Sequence, residues 1–203
     1  MREESQKTDS LGSSREIDTR NLRDEYKGLP NEEVFAKLSE KRSNLEIAIF
    51  NVLHDFNAGT IVRNANNFNV SKVYIVGRKK YNRRGAMCTD KYLEICYFDS
   101  VSEFVEDQRN RGRELVAIEN NVPEEVLKKV YQSGAAEVKS LFDKKFAQNT
   151  TLLFGSESDG ISKELLEKCD DIREIDDFGS TRSVNVGVAS GIAMYEWARQ
   201  WLR

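Results

Sequence analysis

Apolar and polar positions change rhythm twice along this chain. The first twenty residues are polar and rich in serine, which predicts a segment with too little to bury to form a core. Residues 31–42 then follow helical spacing. Val34, Phe35 and Leu38 share one face, Asn31 is placed to cap, and Glu32 and Glu33 sit in the first turn, where the helix dipole favours acids. From residue 44 onward, short apolar runs alternate with amphipathic stretches. Strands are predicted at 45–53, 72–77, 94–99, 114–118, 151–154 and 170–175, and helices at 58–68, 102–111, 123–131, 162–168 and 184–201. Continuous runs such as Ile47-Ala48-Ile49-Phe50 leave no polar face, as expected of strands covered on both sides. The pattern predicts an α/β fold whose parallel sheet carries helices on both faces. It also divides the chain into a polar N-terminal segment, 1–43, and a main domain, 44–203.

In such sheets ligands gather beyond the carboxyl ends of the strands. That directs attention to residues 54–63, the loop from Arg78, Glu119 and Asn120, residues 155–160 and residues 176–185, where polar residues and glycine concentrate.

Composition narrows the chemistry. With 203 residues, 39% of them hydrophobic, the chain suits one domain of ordinary size. It contains no run near the ~20 apolar residues of a membrane span, and its first twenty residues lack the apolar core of a secretory signal. Cys88, Cys96 and Cys169 are scattered and odd in number, which argues against a disulfide framework and for the cytoplasm. His54 is the sole histidine and no CxxC or HxxxH spacing occurs, so no metal site is expected. The G-x-S-x-G of a serine hydrolase, the G-x-G-x-x-G of a dinucleotide enzyme and the phosphate-binding G-x-x-x-x-G-K-[ST] are all missing.

Net charge is −3, which taken alone argues mildly against nucleic acid. Local charge decides phosphate binding, however, because screening limits distant acids to a reach of about 8–10 Å. Arg78, Lys79, Lys80, Arg83 and Arg84 crowd one loop together with Tyr81. The loop is either a solvated turn or an RNA-binding surface on which Tyr81 stacks a base.

Three segments carry candidate chemistry. Gly155-Ser-Glu-Ser-Asp-Gly160 reads as a tight turn after a buried strand, and Glu157 within it requires partners or water. Near the last helix, Ser183 or a neighbour can cap, whereas Asn185 falls inside the predicted first turn, where asparagine is a poor helix former. Gly187, Ala189, Ser190, Gly191 and Ala193 give that helix a small-residue surface for close approach by another element, within the chain or across a dimer interface. Asn57 and Arg63 bracket the start and middle of the first main-domain helix.

Together these segments resemble a known family. Asn57 to Arg63 as Asn-x-Gly-x-x-x-Arg, the run 152–162 (LLFGSESDGIS) and Ser183-Val-Asn-Val-Gly-Val-Ala189 resemble, in order and spacing, the three motifs of TrmH-like (SpoU) RNA ribose methyltransferases of the SPOUT superfamily. The resemblance covers about residues 44–203. It implies a C-terminal trefoil knot, a homodimer with the active site built across its interface, S-adenosylmethionine as cofactor, and methylation of a ribose 2′-hydroxyl in tRNA or rRNA. By the same resemblance Gly155, Ile175 and Val184 hold the cofactor, while Asn57, Arg63, Glu157, Ser183 and Asn185 surround the reacting ribose. Two positions depart from the family pattern: Asp176 stands where proline is frequent, and Asp159 where glycine is frequent. Two alternatives remain open, a base-methylating relative and a non-catalytic RNA-binding protein on the same fold.

Overall fold

The structure, a computed structural model, describes residues 22–50, 56–77, 81, 83–131, 138–156 and 159–202. His54, Glu157, Arg78, Lys79, Lys80 and the first twenty-one residues lie outside them.

Seven parallel strands form one sheet: β1 (Glu46–Phe50), β2 (Lys72–Val76), β3 (Ile95–Phe98), β4 (Glu114–Ile118), β5 (Lys139–Ser140), β6 (Thr150–Phe154) and β7 (Asp171–Glu174), in the spatial order β3-β2-β1-β6-β4-β7-β5. Period-two geometry sorts their side chains into two cores. Ile47, Ile49, Val116, Leu152 and Phe154 pack on one face with α2 (Phe56–Asn67) and α6 (Val186–Trp201), through Ile61, Val62, Met194 and Trp197. Ala48, Phe50, Leu115, Ala117 and Leu153 occupy the other face. There they meet Phe104 of α3 (Val101–Asn110), Val126 and Leu127 of α4 (Glu124–Tyr131), and Leu165 and Leu166 of α5 (Lys163–Leu166). The doubly covered parallel sheet expected from the apolar runs is therefore present.

Chain order and spatial order part company in the middle. From β1 the chain moves outward through β2 and β3, then returns to lay down β4 on the far side of a gap that β6 fills. β7 enters between β4 and β5 in the same way. The crevice above β6, β4 and β7 is thus a point where strand order reverses, the usual place for a ligand in an open α/β sheet.

Some boundaries differ from those the pattern predicts. β5, two residues at the sheet edge, is too short to show a period and is not predicted. In α1 (Asn31–Ser39) Pro30 takes the cap position and Asn31 is already helical. Asn31 Oδ1 accepts instead from the Tyr92 hydroxyl at 3.1 Å. The segment before β1 is tied to the end of α2. Asn69 Nδ2 donates to the carbonyls of Leu38 (3.1 Å) and Lys41 (3.0 Å), and Arg42 Nη1 donates to those of Val70 (3.2 Å) and Ser71 (3.1 Å).

Candidate active site

A cavity of about 430 Å³ opens where β4, β6 and β7 end. Ile118, Ile161, Ile175 and Val186 give it apolar walls, while Glu119, Asn120, Ser183 and Asn185 bring polar groups. Gly155, Ile175 and Val184, the three residues expected to hold a cofactor, all line it.

The loop after β6 closes one side by folding tightly on itself. Ser156 N donates to Gly160 O at 3.3 Å, and Gly160 N donates back to Ser156 O at 3.0 Å. A Cβ on Gly155 would fall 2.1 Å from the Gly160 carbonyl carbon, so only glycine fits there. Asp159, at one of the two departures from the family pattern, accepts from Ser156 Oγ at 3.5 Å, and its backbone N–H donates to the same oxygen at 3.1 Å. Asp176, the other departure, accepts from Ser140 Oγ at 2.5 Å and so ties the loop after β7 to the edge strand β5. Asn120 pins the start of that loop, accepting from Ile175 N and donating to Ile175 O and Asp177 Oδ2.

On the opposite side α6 begins against α2. Asn185 is the N-cap of α6, its Oδ1 accepting from Gly187 N at 2.9 Å and Val188 N at 3.3 Å. This corrects the sequence expectation that Asn185 lies inside the first turn with no capping role: the helix starts two residues later than its apolar pattern suggests. Its Nδ2 donates to Asn57 Oδ1 at 3.1 Å, which joins the first and third motifs at the cavity rim. The small-residue stripe is used within the chain. A Cβ on Gly187 would lie 3.0 Å from Thr60 Cγ2, and one on Gly191 would lie 3.2 Å from Asn64 Nδ2. Asn64 Nδ2 donates to Gly187 O (2.9 Å) and Ser190 Oγ (3.0 Å), which locks the two helices together. Asn64 escaped the sequence reading, although it lies two helical turns from Asn57 on the same face of α2.

Arg63 stands apart. It is exposed, it does not line the cavity, and no ion pair holds it among the described residues. Within the basic loop, Arg83 is committed to an ion pair with the buried Asp90, while Arg84 is exposed on the same 3-10 turn, Arg83–Ala86. That turn presses on α2 so closely that a Cβ on Gly59 would meet Ala86 N at 2.6 Å, which accounts for the glycine of the first motif. Tyr81 does not fit its expected stacking role. Its ring packs against the core, and its hydroxyl is buried without a hydrogen-bond partner among the described residues. Burial pushes its phenol above the ordinary range. No cluster of His, Cys, Asp and Glu suited to a metal occurs among the described residues, and no described helix is long and apolar enough to cross a membrane.

The SpoU rRNA Methylase family profile matches residues 44–195. The chain belongs to that family. It is 27% identical over 167 residues to the tRNA (guanosine(18)-2'-O)-methyltransferase of Aquifex aeolicus, a match spanning 80% of this chain and 72% of that enzyme. A shorter stretch of 62 residues is 39% identical to the 23S rRNA (guanosine-2'-O-)-methyltransferase RlmB of Vibrio parahaemolyticus and spans 25% of that enzyme. Among solved structures, the A. aeolicus TrmH/SpoU tRNA modifying enzyme superposes with a TM-score of 0.69 at 28% identity, covering 85% of this chain and 84% of that one. An AdoMet-bound rRNA methyltransferase from Sinorhizobium meliloti shares the fold with a TM-score of 0.66 at 23% identity, covering 82% and 61%. The family matched is the one the three motifs resemble.

Proposed function

We propose that this chain transfers the methyl group of S-adenosylmethionine to a ribose 2′-hydroxyl of tRNA or rRNA. The observation that carries the reading is the meeting of motifs at one cavity, where Asn185 starts α6, bonds to Asn57 and shares the lining with Gly155, Ile175 and Val184. The space suits the cofactor. Its volume of about 430 Å³ lies in the ~300–1,000 Å³ range of small-molecule sites, and apolar walls alternate with the backbone of the tight loops.

When bound, the cofactor would supply an electrophilic methyl carbon, with its sulfur as leaving group, to the ribose oxygen. The chain supplies position, which accounts for much of the rate in an in-line displacement. Ser183 and Asn185 are exposed at the rim, with hydrogen-bonding groups for a ribose. Glu157, outside the described residues, joins this set by its place in the second motif. Arg63 stabilises the oxygen as its proton passes to solvent water at the open rim, and acts by charge because a guanidinium stays protonated.

Arg63 does not line its own chain's cavity, and this supports a homodimer in which it serves the partner's site. Val188, Ile192 and Tyr195, spaced along one side of α6 and exposed, offer an apolar surface for the second copy. Arg84 and the neighbouring Arg78, Lys79 and Lys80 supply phosphate contacts, Arg83 contributing less because Asp90 holds it. Cys88, Cys96 and Cys169 form no disulfide with one another, which suits the reducing cytoplasm. A knotted C-terminal half is what membership of the family implies.

The test is transfer of labelled methyl to total tRNA and rRNA, followed by alkaline digestion. A ribose methyl leaves an alkali-resistant dinucleotide, whereas a base methyl leaves a labelled mononucleotide and no transfer leaves no label. Mixing inactive Arg63→Ala and Val184→Arg chains then tests the shared site. Mixed dimers contain one intact site and recover activity if Arg63 acts across the interface; they stay inactive if it acts within its own chain.

A further inference from the structure

Among the polar groups that hold the loops of the cavity, Glu119 braces two of them and still keeps acceptor capacity in reserve. This residue follows β4 directly, is half-buried, and lines the cavity. Both of its carboxylate oxygens receive backbone donors: Oε2 accepts from Ile161 N at 3.0 Å and Oε1 from Asn121 N at 3.1 Å. The first of these bonds fixes the end of the loop after β6; the second fixes the turn after β4. The approach is so close that a Cβ on Gly160 would stand 2.5 Å from Oε2, and Gly160 itself has φ of +62°.

A carboxylate has about four lone-pair sites, so two backbone bonds leave one acceptor position on each oxygen. Asn120, its neighbour, offers a single acceptor atom, since its Oδ1 already takes Ile175 N and both of its donor bonds go to the loop after β7. Glu119 therefore brings to the cavity lining a pair of carboxylate oxygens held in place by two main-chain donors. A vicinal diol is the complement of that pair, because two adjacent hydroxyls can each donate to one oxygen. Carboxylates placed just beyond a strand end receive ribose hydroxyls in other α/β folds for the same geometric reason.

We infer that Glu119 receives the 2′- and 3′-hydroxyls of the cofactor's ribose, making it a specificity-determining residue for ribonucleoside over deoxyribonucleoside ligands. The inference rests on the cofactor site proposed above and adds the group that reads the sugar. Loop bracing and diol binding then share one carboxylate, so the cavity takes its shape from the residue that selects its ligand.

Isothermal titration with S-adenosylhomocysteine and its 2′-deoxy and 3′-deoxy ribose forms tests it. A lost hydrogen bond to a charged acceptor corresponds to roughly a 10- to 100-fold loss of affinity. Wild-type protein is therefore expected to bind either deoxy form at least about ten-fold more weakly. In Glu119→Ala the parent compound weakens while the ratio of parent to deoxy forms collapses toward one. A brace alone would weaken all three compounds together and leave the ratio as in wild type, and that result overturns the inference. Equal binding of all three by wild-type protein overturns it without any variant, so misfolding of Glu119→Ala does not shield it. Failure of wild-type protein to bind S-adenosylhomocysteine at all would instead bring down the cofactor reading, and this assignment with it.

Discussion

Asn185 occupies two roles at once, and substitution can separate them. Its Oδ1 caps α6 through Gly187 N and Val188 N, while its Nδ2 reaches Asn57 across the cavity rim. Replacing an N-cap asparagine by alanine costs about 1 kcal/mol. The bond to Asn57, exposed at the rim, adds about 0.5 kcal/mol from the low end of the usual range. Asn185→Ala should thus lose about 1.5 kcal/mol in all. For a chain of 203 residues a loss of 1 kcal/mol lowers the melting temperature by about 2–4 °C, so the shift should be about 3–6 °C. Serine also caps well but cannot reach Asn57, so Asn185→Ser should lose only the smaller contribution, about 1–2 °C.

Activity should not follow stability. If the amide orients the ribose hydroxyl, methyl transfer falls in both variants, and serine rescues the melting temperature without rescuing turnover. Thermal unfolding followed by circular dichroism measures the first quantity, and labelled-methyl transfer to RNA the second. Hydrogen exchange at Gly187 and Val188 supplies a local check, because both amides lose their acceptor in Asn185→Ala and keep one in Asn185→Ser. Two results would refute the reasoning. An alanine variant melting with wild type would show that the cap adds nothing, and full turnover in the serine variant would remove the amide from the reaction.

Three further expectations concern the framework. Glu46, only 2% exposed, accepts from the Tyr74 hydroxyl (3.0 Å) and pairs with Arg111 and with Arg113 (3.3 Å), whose side chain is largely covered, so Glu46→Ala should cost about 3 kcal/mol in urea unfolding by leaving buried charge uncompensated. Hydrogen bonds from Arg199 and then Gln200 hold the Glu196 carboxyl below the ordinary range. A depressed carboxyl stabilises the fold above its unfolded pKa of about 4.3 and loses that contribution as pH falls through the lower folded value. The stability gap between wild type and Glu196→Gln should accordingly shrink on acidification, and a gap that widens between pH 5 and 3 would contradict this. Ile192→Asp places a charge in the exposed apolar stripe of α6 and should convert the proposed dimer to monomer in sedimentation equilibrium, with a change in melting temperature under about 2 °C because the residue is partly solvated in the single chain.

Much of this architecture is legible along the chain because burial on both faces leaves a local signature. Strands such as β1 and β6 have no polar side, and the helices between them carry one apolar stripe each. Strand order leaves no such signature. Nothing in residues 150–154 says that they slot between β1 and β4, since parallel pairing depends on contacts made far away in sequence. The start of α6 is displaced for a related reason. Val184 continues the apolar pattern of the helix although it precedes the cap and lines the cavity, so periodicity extends the helix too far toward its N-terminus. Glu119 is one carboxylate after one strand, with no repeat to mark it; its significance rests on two backbone donors that only the fold brings to it.

The three motifs contain residues of two physical kinds, and they are not equal evidence for activity. Gly59, Gly155 and Gly187 are explained by backbone or helix approach, since any side chain at the first two would collide with the backbone of Ala86 or Gly160, and one at Gly187 would crowd Thr60. A chain that kept this fold and lost its reaction would still need them. Asn57 and Asn185 are partly explained, because their bond and the α6 cap contribute to stability. Arg63 and Ser183 are different: both are exposed, and neither contributes to the cores on the two faces of the sheet. Packing does not account for an arginine and a serine at those positions, so the argument for catalysis over mere RNA binding weighs most on them. Conservative substitutions at Arg63 and Ser183 that abolish transfer while leaving the melting temperature in place would therefore say more about function than any change at the glycines.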